Sequence, residues 1–295
     1  MLSNDNAFLN YGDNAAHAFT QRTLVTRFSM NRTNTLETLR KPVANVMMLL
    51  ALLQDELSLQ VTGLGDPTTS PVGVIATVNR ADAEYRMLGV LVYASYDGTE
   101  TTANYSVTLT MTNLPAFRPN SMVNAYQLNN KAGSSFAAWQ AQGMPVYPSA
   151  AEFAAMRLAM EVPQLPGYPK DASSLGSSVS FDMPAPGVVL LHACEQPANG
   201  PKAVRLTRLH VTPTPGQVMV SWLENADEQC LLTYKVLYAA ARDGSMVNLV
   251  QRNTIFTSFV HNENGTVASG CYKVVAVDYW QRESQGSTMC VGDST

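Results

Sequence analysis

The chain of 295 residues is 46% hydrophobic and 14% charged, a composition typical of a folded globular protein and not of a disordered one. Its net charge of −4 provides no general basic surface for nucleic acid, so any contact with a polyanion must come from local cations. The longest apolar run, Val43 to Leu53, is interrupted by Asn45 and is far shorter than the roughly 20 residues that cross a bilayer. We therefore expect no membrane span, and the first residues show no pattern of a signal peptide.

The first predicted elements are a short strand, Asp5 to Leu9, and a helix that begins at Pro42. Proline suits the first helical turn, where its missing N–H costs nothing. The apolar residues of this helix recur at steps of three and four and predict one buried face, made of Val43, Val46, Met47, Leu50, Leu53 and Leu57. Because two elements cannot close a β/α barrel, part of this face is expected to stay uncovered.

From about Thr62 the apolar period changes from that of a helix to that of a strand. The predicted strands are Val72 to Val78, Leu88 to Ala94, Val107 to Met111 and Gly187 to Leu191. Asp97-Gly98 and Asn129-Asn130 are typical of turns. This pattern predicts a β-sandwich over residues 61–202.

One helix is predicted to interrupt the sandwich. Ser149 and Glu152 have the spacing of a capping box, in which the two side chains satisfy the first free amides of a helix. Phe153, Met156 and Met160 then form its apolar stripe, which we interpret as core packing.

A third module is predicted for residues 203–295, after the Pro/Gly-rich linker Gln196 to Pro201. Three runs, Val218 to Trp222, Leu232 to Tyr238 and Tyr272 to Tyr279, resemble strands B, C and F of a fibronectin type III domain, with Trp222 in its core. Such a fold could bring Cys230 and Cys271 together, and the bridge would close a loop of about 42 residues, worth roughly 4 kcal/mol. The state of Cys194 and Cys290 stays open.

Residues for metal or carboxylate catalysis are not recognisable. The four cysteines lack CxxC spacing and the four histidines are scattered, so no metal site or cofactor is predicted. Catalysis by a pair of carboxyl groups needs both of them close together on one rigid scaffold, and in β/α-barrel enzymes that use such a pair the acid usually follows an asparagine. The one Asn-Glu pair, Asn262-Glu263, lies in a run rich in Asn and Gly and is interpreted as a turn, so no catalytic pair is predicted.

The opening run Ser3 to Tyr11, the segment Gln21 to Leu24 and the modules that follow resemble the iduronidases of glycoside hydrolase family thirty-nine, from Leu2 to about Cys290. The resemblance implies that residues 1–60 are the last strand and helix of a (β/α)8 barrel and that most of the catalytic barrel lies upstream. The fold class expected is thus mostly β: this barrel end, a β-sandwich with an inserted helix, and a fibronectin type III-like β-sandwich. The implied reaction is lysosomal exo-hydrolysis of terminal alpha-L-iduronic acid at the non-reducing ends of dermatan sulfate and heparan sulfate.

The resemblance also implies site residues. Asp5 would accept hydrogen bonds from sugar hydroxyls, Asn6 would flank the pocket, and Arg22 would bind the uronate carboxylate with its planar fork. The sequence alone leaves open a turn at Asp5 and a surface role for Arg22. Three sequons predict glycosylation at Asn31, Asn104 and Asn264, and a glycan on Asn31 could border the cleft.

Three functional hypotheses remain. In the first, the chain is an enzyme part that is inactive without the missing barrel. In the second, it is a non-catalytic carbohydrate- or protein-binding β-sandwich module, which a row of exposed aromatic residues would favour. In the third, it is an unstable product with no function of its own, because an uncovered apolar helix invites aggregation.

Overall fold

The computed structural model describes residues 24–30, 35–53, 57–66, 70–79, 83–95, 103–113, 116–175, 178–223, 230–262 and 267–293. The α-helices are α1 (Pro42–Ala51), α2 (Ser135–Ala141) and α3 (Ala150–Ala159), and Ala172–Leu175 forms a 3₁₀ turn. The strands are β1 (Val25–Met30), β2 (Thr35–Arg40), β3 (Leu57–Ser58), β4 (Val72–Val78), β5 (Met87–Ala94), β6 (Asn104–Thr110), β7 (Met122–Asn129), β8 (Lys170–Asp171), β9 (Ser178–Pro184), β10 (Gly187–Cys194), β11 (Leu206–Val211), β12 (Gln217–Trp222), β13 (Leu231–Ala239), β14 (Val247–Asn248), β15 (Ser258–Asn262), β16 (Cys271–Asp278) and β17 (Thr288–Cys290). The prediction of a mostly β protein is confirmed.

The chain forms two compact units that alternate along the sequence. Unit 1 comprises Met1–Lys41, Ser135–Glu161 and Asn199–Thr295, and unit 2 comprises Pro42–Ser134 and Val162–Ala198. The change from unit 2 to unit 1 after Ala198 falls inside the predicted linker. The division into 1–60, 61–202 and 203–295 stays a prediction about sequence modules.

Unit 2 consists mainly of a six-stranded sheet, in the order β3-β4-β5-β10-β7-β8, and the two-stranded sheet β6-β9. Strand β10 lies between β5 and β7, and all of its residues except Val188 are buried, as the continuous apolar run predicted. In β6, Tyr105, Val107 and Leu109 pack against the core while Thr108 and Thr110 are exposed. The two sheets therefore share one hydrophobic core.

Helix α1 of unit 2 begins at Pro42 as predicted, and its apolar face is partly uncovered, as expected, but the two residues that are fully buried lie outside that predicted face. The buried residues are Asn45 and Leu49, whereas Val43 and Met47 are each 38% exposed. Asn45 turns inward because its Nδ2 donates a hydrogen bond to the backbone oxygen of Gly133 at 2.9 Å. A long-range hydrogen bond has thus selected a face that apolar spacing does not reveal.

The N-terminal part of unit 1 is an antiparallel hairpin, β1-β2, that packs with α2 and α3. Phe28 of β1 contacts Phe153 of α3 edge to face at 5.4 Å between ring centroids, and Trp139 of α2 at 6.5 Å. Sequence analysis predicted α3 correctly, since Ser149 caps it and Glu152 completes the capping box. It missed the hairpin and α2.

The C-terminal part of unit 1 has a three-stranded sheet, β11-β12-β15, and a four-stranded sheet, β14-β13-β16-β17. Their side chains form one core, in which Trp222 is 4% exposed and contacts Tyr234 edge to face at 5.1 Å. The predicted core position of Trp222 is confirmed.

The predicted disulfide between Cys230 and Cys271 is wrong. Cys271 is bonded to Cys290, because β16 and β17 are antiparallel neighbours and these two residues lie opposite each other in the register. Cys194 and Cys230 are also disulfide-bonded, so none of the four cysteines is free.

Candidate functional site

The predicted sugar-binding residues Asp5, Asn6 and Arg22 lie outside the described residues, as do the sequon asparagines Asn31 and Asn264. Their roles stay predictions.

Asn104 is the one sequon asparagine among the described residues, and it is the exposed first residue of β6. Ser106 of the same sequon is also exposed, and its hydroxyl donates a hydrogen bond to Asp182 at 2.6 Å. The site is accessible to modification, and its glycosylation stays a prediction.

The described structure nearest to Arg22 in sequence is the β1-β2 hairpin, whose first strand begins three residues later at Val25. The backbone N–H of Lys41 donates to the oxygen of Leu24 at 2.9 Å and closes the open end of the hairpin. Strand pairing from Val25↔Arg40 to Met30↔Thr35 keeps β1 and β2 in register along their full length. Any group that immobilises β2 therefore also immobilises β1.

A buried carboxyl group, that of Glu37, holds β2 from within unit 1. Its side chain is 3% exposed, and its two oxygens accept hydrogen bonds from Arg157 at 2.8 Å and Gln217 at 2.6 Å. Burial raises the pKa of Glu37 above its ordinary value, although Arg157 and Gln217 oppose the rise. With both oxygens accepting from protein donors and hidden from solvent, Glu37 organises the fold.

Arg40, at the end of β2, makes a second set of interior contacts. Its guanidinium lies 3.5 Å from the ring centroid of Phe256 and forms an ion pair with Glu161. The hydroxyl of Ser135 donates to the backbone oxygen of Arg40 at 2.9 Å. Burial lowers the pKa of Arg40 from its ordinary value, an effect that the Glu161 carboxylate opposes.

The next residue, Lys41, is also buried, and burial lowers its pKa to about 8. Three ionisable residues, Glu37, Arg40 and Lys41, therefore stand within five positions of one another, two of them buried and Arg40 largely so. Sequence analysis missed this cluster, because the apolar residues of Thr35–Arg40, the leucines at 36 and 39, do not alternate and so do not indicate that Glu37 and Lys41 are buried.

The other buried carboxyl groups of the described residues are also held by arginines. Glu195, in unit 2, accepts backbone hydrogen bonds from Arg86 and Arg118 at 3.1 Å each and pairs with the Arg118 side chain at 3.3 Å. Asp278, in unit 1, pairs with Arg282 at 2.7 Å. In the part of the chain that the structure describes, the buried acids are thus each held by hydrogen bonds or ion pairs within the fold.

Two further properties bear on chemistry. No group of three or more His, Cys, Asp or Glu residues is arranged to hold a metal ion in the described ranges. None of the helices described is both long and apolar enough to cross a membrane.

Comparison with known proteins gives consistent matches over nearly the whole chain. The chain is 38% identical to alpha-L-iduronidase of Canis lupus familiaris over 98% of its own length and 44% of that protein, and 36% identical to alpha-L-iduronidase of Homo sapiens over 96% and 44%. It therefore spans less than half the length of these relatives.

A solved structure has the same fold. The bacterial orthologue of human alpha-L-iduronidase aligns with a TM-score of 0.74 and 20% identity, over 92% of this chain and 47% of that one. The sequence model described as alpha-L-iduronidase C-terminal domain matches residues 205–291. The sequence model of glycosyl hydrolases family 39 matches residues 1–171, more than half of the chain, and the chain therefore belongs to that family.

Proposed function

We propose that this chain is part of an alpha-L-iduronidase, a lysosomal exo-glycosidase that removes terminal alpha-L-iduronic acid from dermatan sulfate and heparan sulfate. The observation that carries the proposal is the 36–38% identity to two alpha-L-iduronidases over 96–98% of the chain. The two carboxyl groups of a retaining mechanism would come from the part of the relatives that this chain does not match. By itself the chain is then inactive.

Within this function, Asp5, Asn6 and Arg22 hold the terminal sugar. Arg22 pairs with the uronate carboxylate, since a planar guanidinium binds a carboxylate with two parallel hydrogen bonds. Residues 1–60 complete the catalytic barrel, and the exposed side chains of Val43 and Met47 on α1 face the rest of that barrel. The three- and four-stranded sheets of unit 1 support the proposal of a fibronectin type III-like module.

The binding-module alternative has less support. It would be favoured by exposed aromatic platforms, but Trp139 and Trp222 are buried in two different cores of unit 1. Trp280 is half-buried and stacks with Arg282 at 5.5 Å.

The test uses a hybrid in which this chain replaces the matching 44% of the Canis lupus familiaris relative. We expect the hybrid to hydrolyse a fluorogenic alpha-L-iduronide at acid pH, and the chain alone to be inactive. In the hybrid, Arg22→Gln should raise KM by about tenfold or more, because it removes a charge-assisted pair with the substrate. Arg208→Gln, an exposed residue of β11, is the matched control and should leave KM unchanged.

Two outcomes would count against the proposal. A folded hybrid with no activity would contradict the enzyme hypothesis, and an unchanged KM in Arg22→Gln would contradict the role of that arginine. Mass spectrometry of secreted hybrid would test the three predicted glycans, and an unmodified Asn31 would remove the glycan from the edge of the cleft.

A further inference from the structure

The starting point is that Glu37 joins three segments that are far apart in sequence. Glu37 lies on β2, Arg157 lies on α3 and is 120 residues away, and Gln217 lies on β12 and is 180 residues away. All three belong to unit 1. One carboxyl group therefore fastens the hairpin both to the helical segment and to the C-terminal sheets.

The direction of these hydrogen bonds is fixed. The hydroxyl of Thr212 donates to Oε1 of Gln217 at 2.6 Å, and the backbone N–H of Thr214 donates to the hydroxyl oxygen of Thr212 at 3.2 Å. The amide group of Gln217 therefore presents Nε2 to Glu37, whose Oε1 accepts its hydrogen bond at 2.6 Å. Gln217 is 3% exposed, so water cannot replace a lost partner.

A second contact joins the same strand to the C-terminal segment. Phe256, which lies just before β15, packs its ring against the guanidinium of Arg40. The same guanidinium forms an ion pair with Glu161, which lies two residues after the end of α3. In addition, Arg252 donates to the backbone oxygen of Leu158 at 3.4 Å. The C-terminal segment therefore contacts both the hairpin and helix α3.

From these contacts we infer that Glu37 and Arg40 are positioning residues, through which the C-terminal sheets hold the β1-β2 hairpin, the element that comes next in sequence after the proposed substrate-binding residue Arg22. This inference rests on the proposed function for its consequence in catalysis. Glu37 is buried and the Arg40 side chain is 11% exposed, so they act through the hairpin and not by touching the sugar. The C-terminal segment then contributes to substrate affinity through the hairpin.

The first test uses the chain itself and measures how firmly the C-terminal sheets hold the hairpin, without an activity assay. Gln217→Glu places a second carboxylate against Glu37 in the same volume, and we expect backbone hydrogen exchange in Thr35–Arg40 to accelerate by about tenfold, since a buried charge loses its donor.

A double variant tests whether the direction of the hydrogen bond is what matters. Combining Glu37→Gln with Gln217→Glu reverses the pair, because the new amide on β2 can accept from Arg157 and donate to the new carboxylate on β12, which still accepts from Thr212. This double variant should restore slow exchange. Gln251→Glu, the same change at an exposed position, is the control.

The second test measures KM and kcat in the hybrid. We expect Gln217→Glu to raise KM several-fold with little change in kcat, and the double variant to restore KM. A purely structural effect would lower the active fraction, and so kcat, at constant KM.

The two tests refute different parts of the inference. Unchanged hydrogen exchange in Gln217→Glu would show that the C-terminal sheets do not hold the hairpin through Glu37. A folded Gln217→Glu hybrid with unchanged KM would overturn the positioning role. If the hybrid without substitutions is inactive, the proposed function fails and the positioning role fails with it, while the exchange experiment still decides whether the C-terminal sheets hold the hairpin.

Discussion

The disulfide between Cys271 and Cys290 allows a quantitative test of the fold of unit 1. Replacing both residues by alanine removes a cross-link between positions that are 19 residues apart. On the chain-entropy model a loop of this length contributes about 3 kcal/mol to the free energy of unfolding, because the bond restricts the unfolded chain. We therefore expect the double variant to lose about that amount.

Tryptophan fluorescence is the appropriate probe for this measurement. The three tryptophans of the sequence, Trp139, Trp222 and Trp280, all lie in unit 1, so their signal reports the unfolding of that unit. Urea titrations of the native chain and of the double variant give the difference in unfolding free energy. Thr288→Ala, an exposed change on β17, is the control and should shift the free energy by less than about 0.5 kcal/mol.

A non-reducing tryptic digest identifies the bonded partner independently. Trypsin is expected to release Cys271 in the peptide 253–273 and Cys290 in the peptide 283–295, and these two should remain linked until reduction. A link from 253–273 to the peptide 209–235, which contains Cys230, would refute the register of β16 and β17. A loss of stability below about 1 kcal/mol in the double variant would refute the entropic reasoning.

Two other predictions concern buried polar groups. Asn45→Ala should lower the stability of unit 2 by about 2 kcal/mol, since it removes the donor to Gly133 and leaves a small cavity, whereas Val43→Ala on the exposed side of α1 should cost less than about 0.5 kcal/mol. Because unit 2 contains no tryptophan, hydrogen exchange of its peptides is the measurement, and equal effects of the two changes would contradict the observed face of α1. For Glu37, the raised pKa means that the folded state binds its proton more readily than the unfolded state, so this residue's contribution to stability should fall as pH rises above about 4.5. The advantage of the native chain over Glu37→Gln in urea titrations should therefore shrink toward neutral pH, and an advantage that grows instead would mean that the ion pair with Arg157 outweighs burial.

Elements that depend on local sequence were predictable. The capping box of α3 is made by residues three positions apart, so the pair Ser149 and Glu152 marked the helix before its surroundings were known. Strand β4 was predicted with its observed bounds, Val72–Val78, because its apolar residues are dense.

Elements that depend on partners distant in sequence could not be predicted from local patterns. The β1-β2 hairpin carries Thr, Arg and Glu among its apolar residues, and its inner face is completed by Trp139 and Phe153, more than 100 positions later. The cystine pairing was missed for a related reason: β17 has three residues, too few for a strand signal, yet its register decides which cysteine meets Cys271.

The buried carboxyl groups of the described residues differ from a catalytic carboxyl group in the partners that their oxygens have. An acid catalyst needs a carboxyl group that can exchange a proton with the reacting oxygen, and therefore an oxygen that protein donors leave accessible. The buried carboxyls of Glu37, Glu195 and Asp278 each face an arginine instead, which stabilises a fixed geometry at the expense of reactivity. Under the proposed function, these three carboxyl groups affect turnover by holding other residues in place. For this reason a change at Gln217, deep among the C-terminal sheets, is expected to alter KM through Glu37 and the hairpin that follows Arg22.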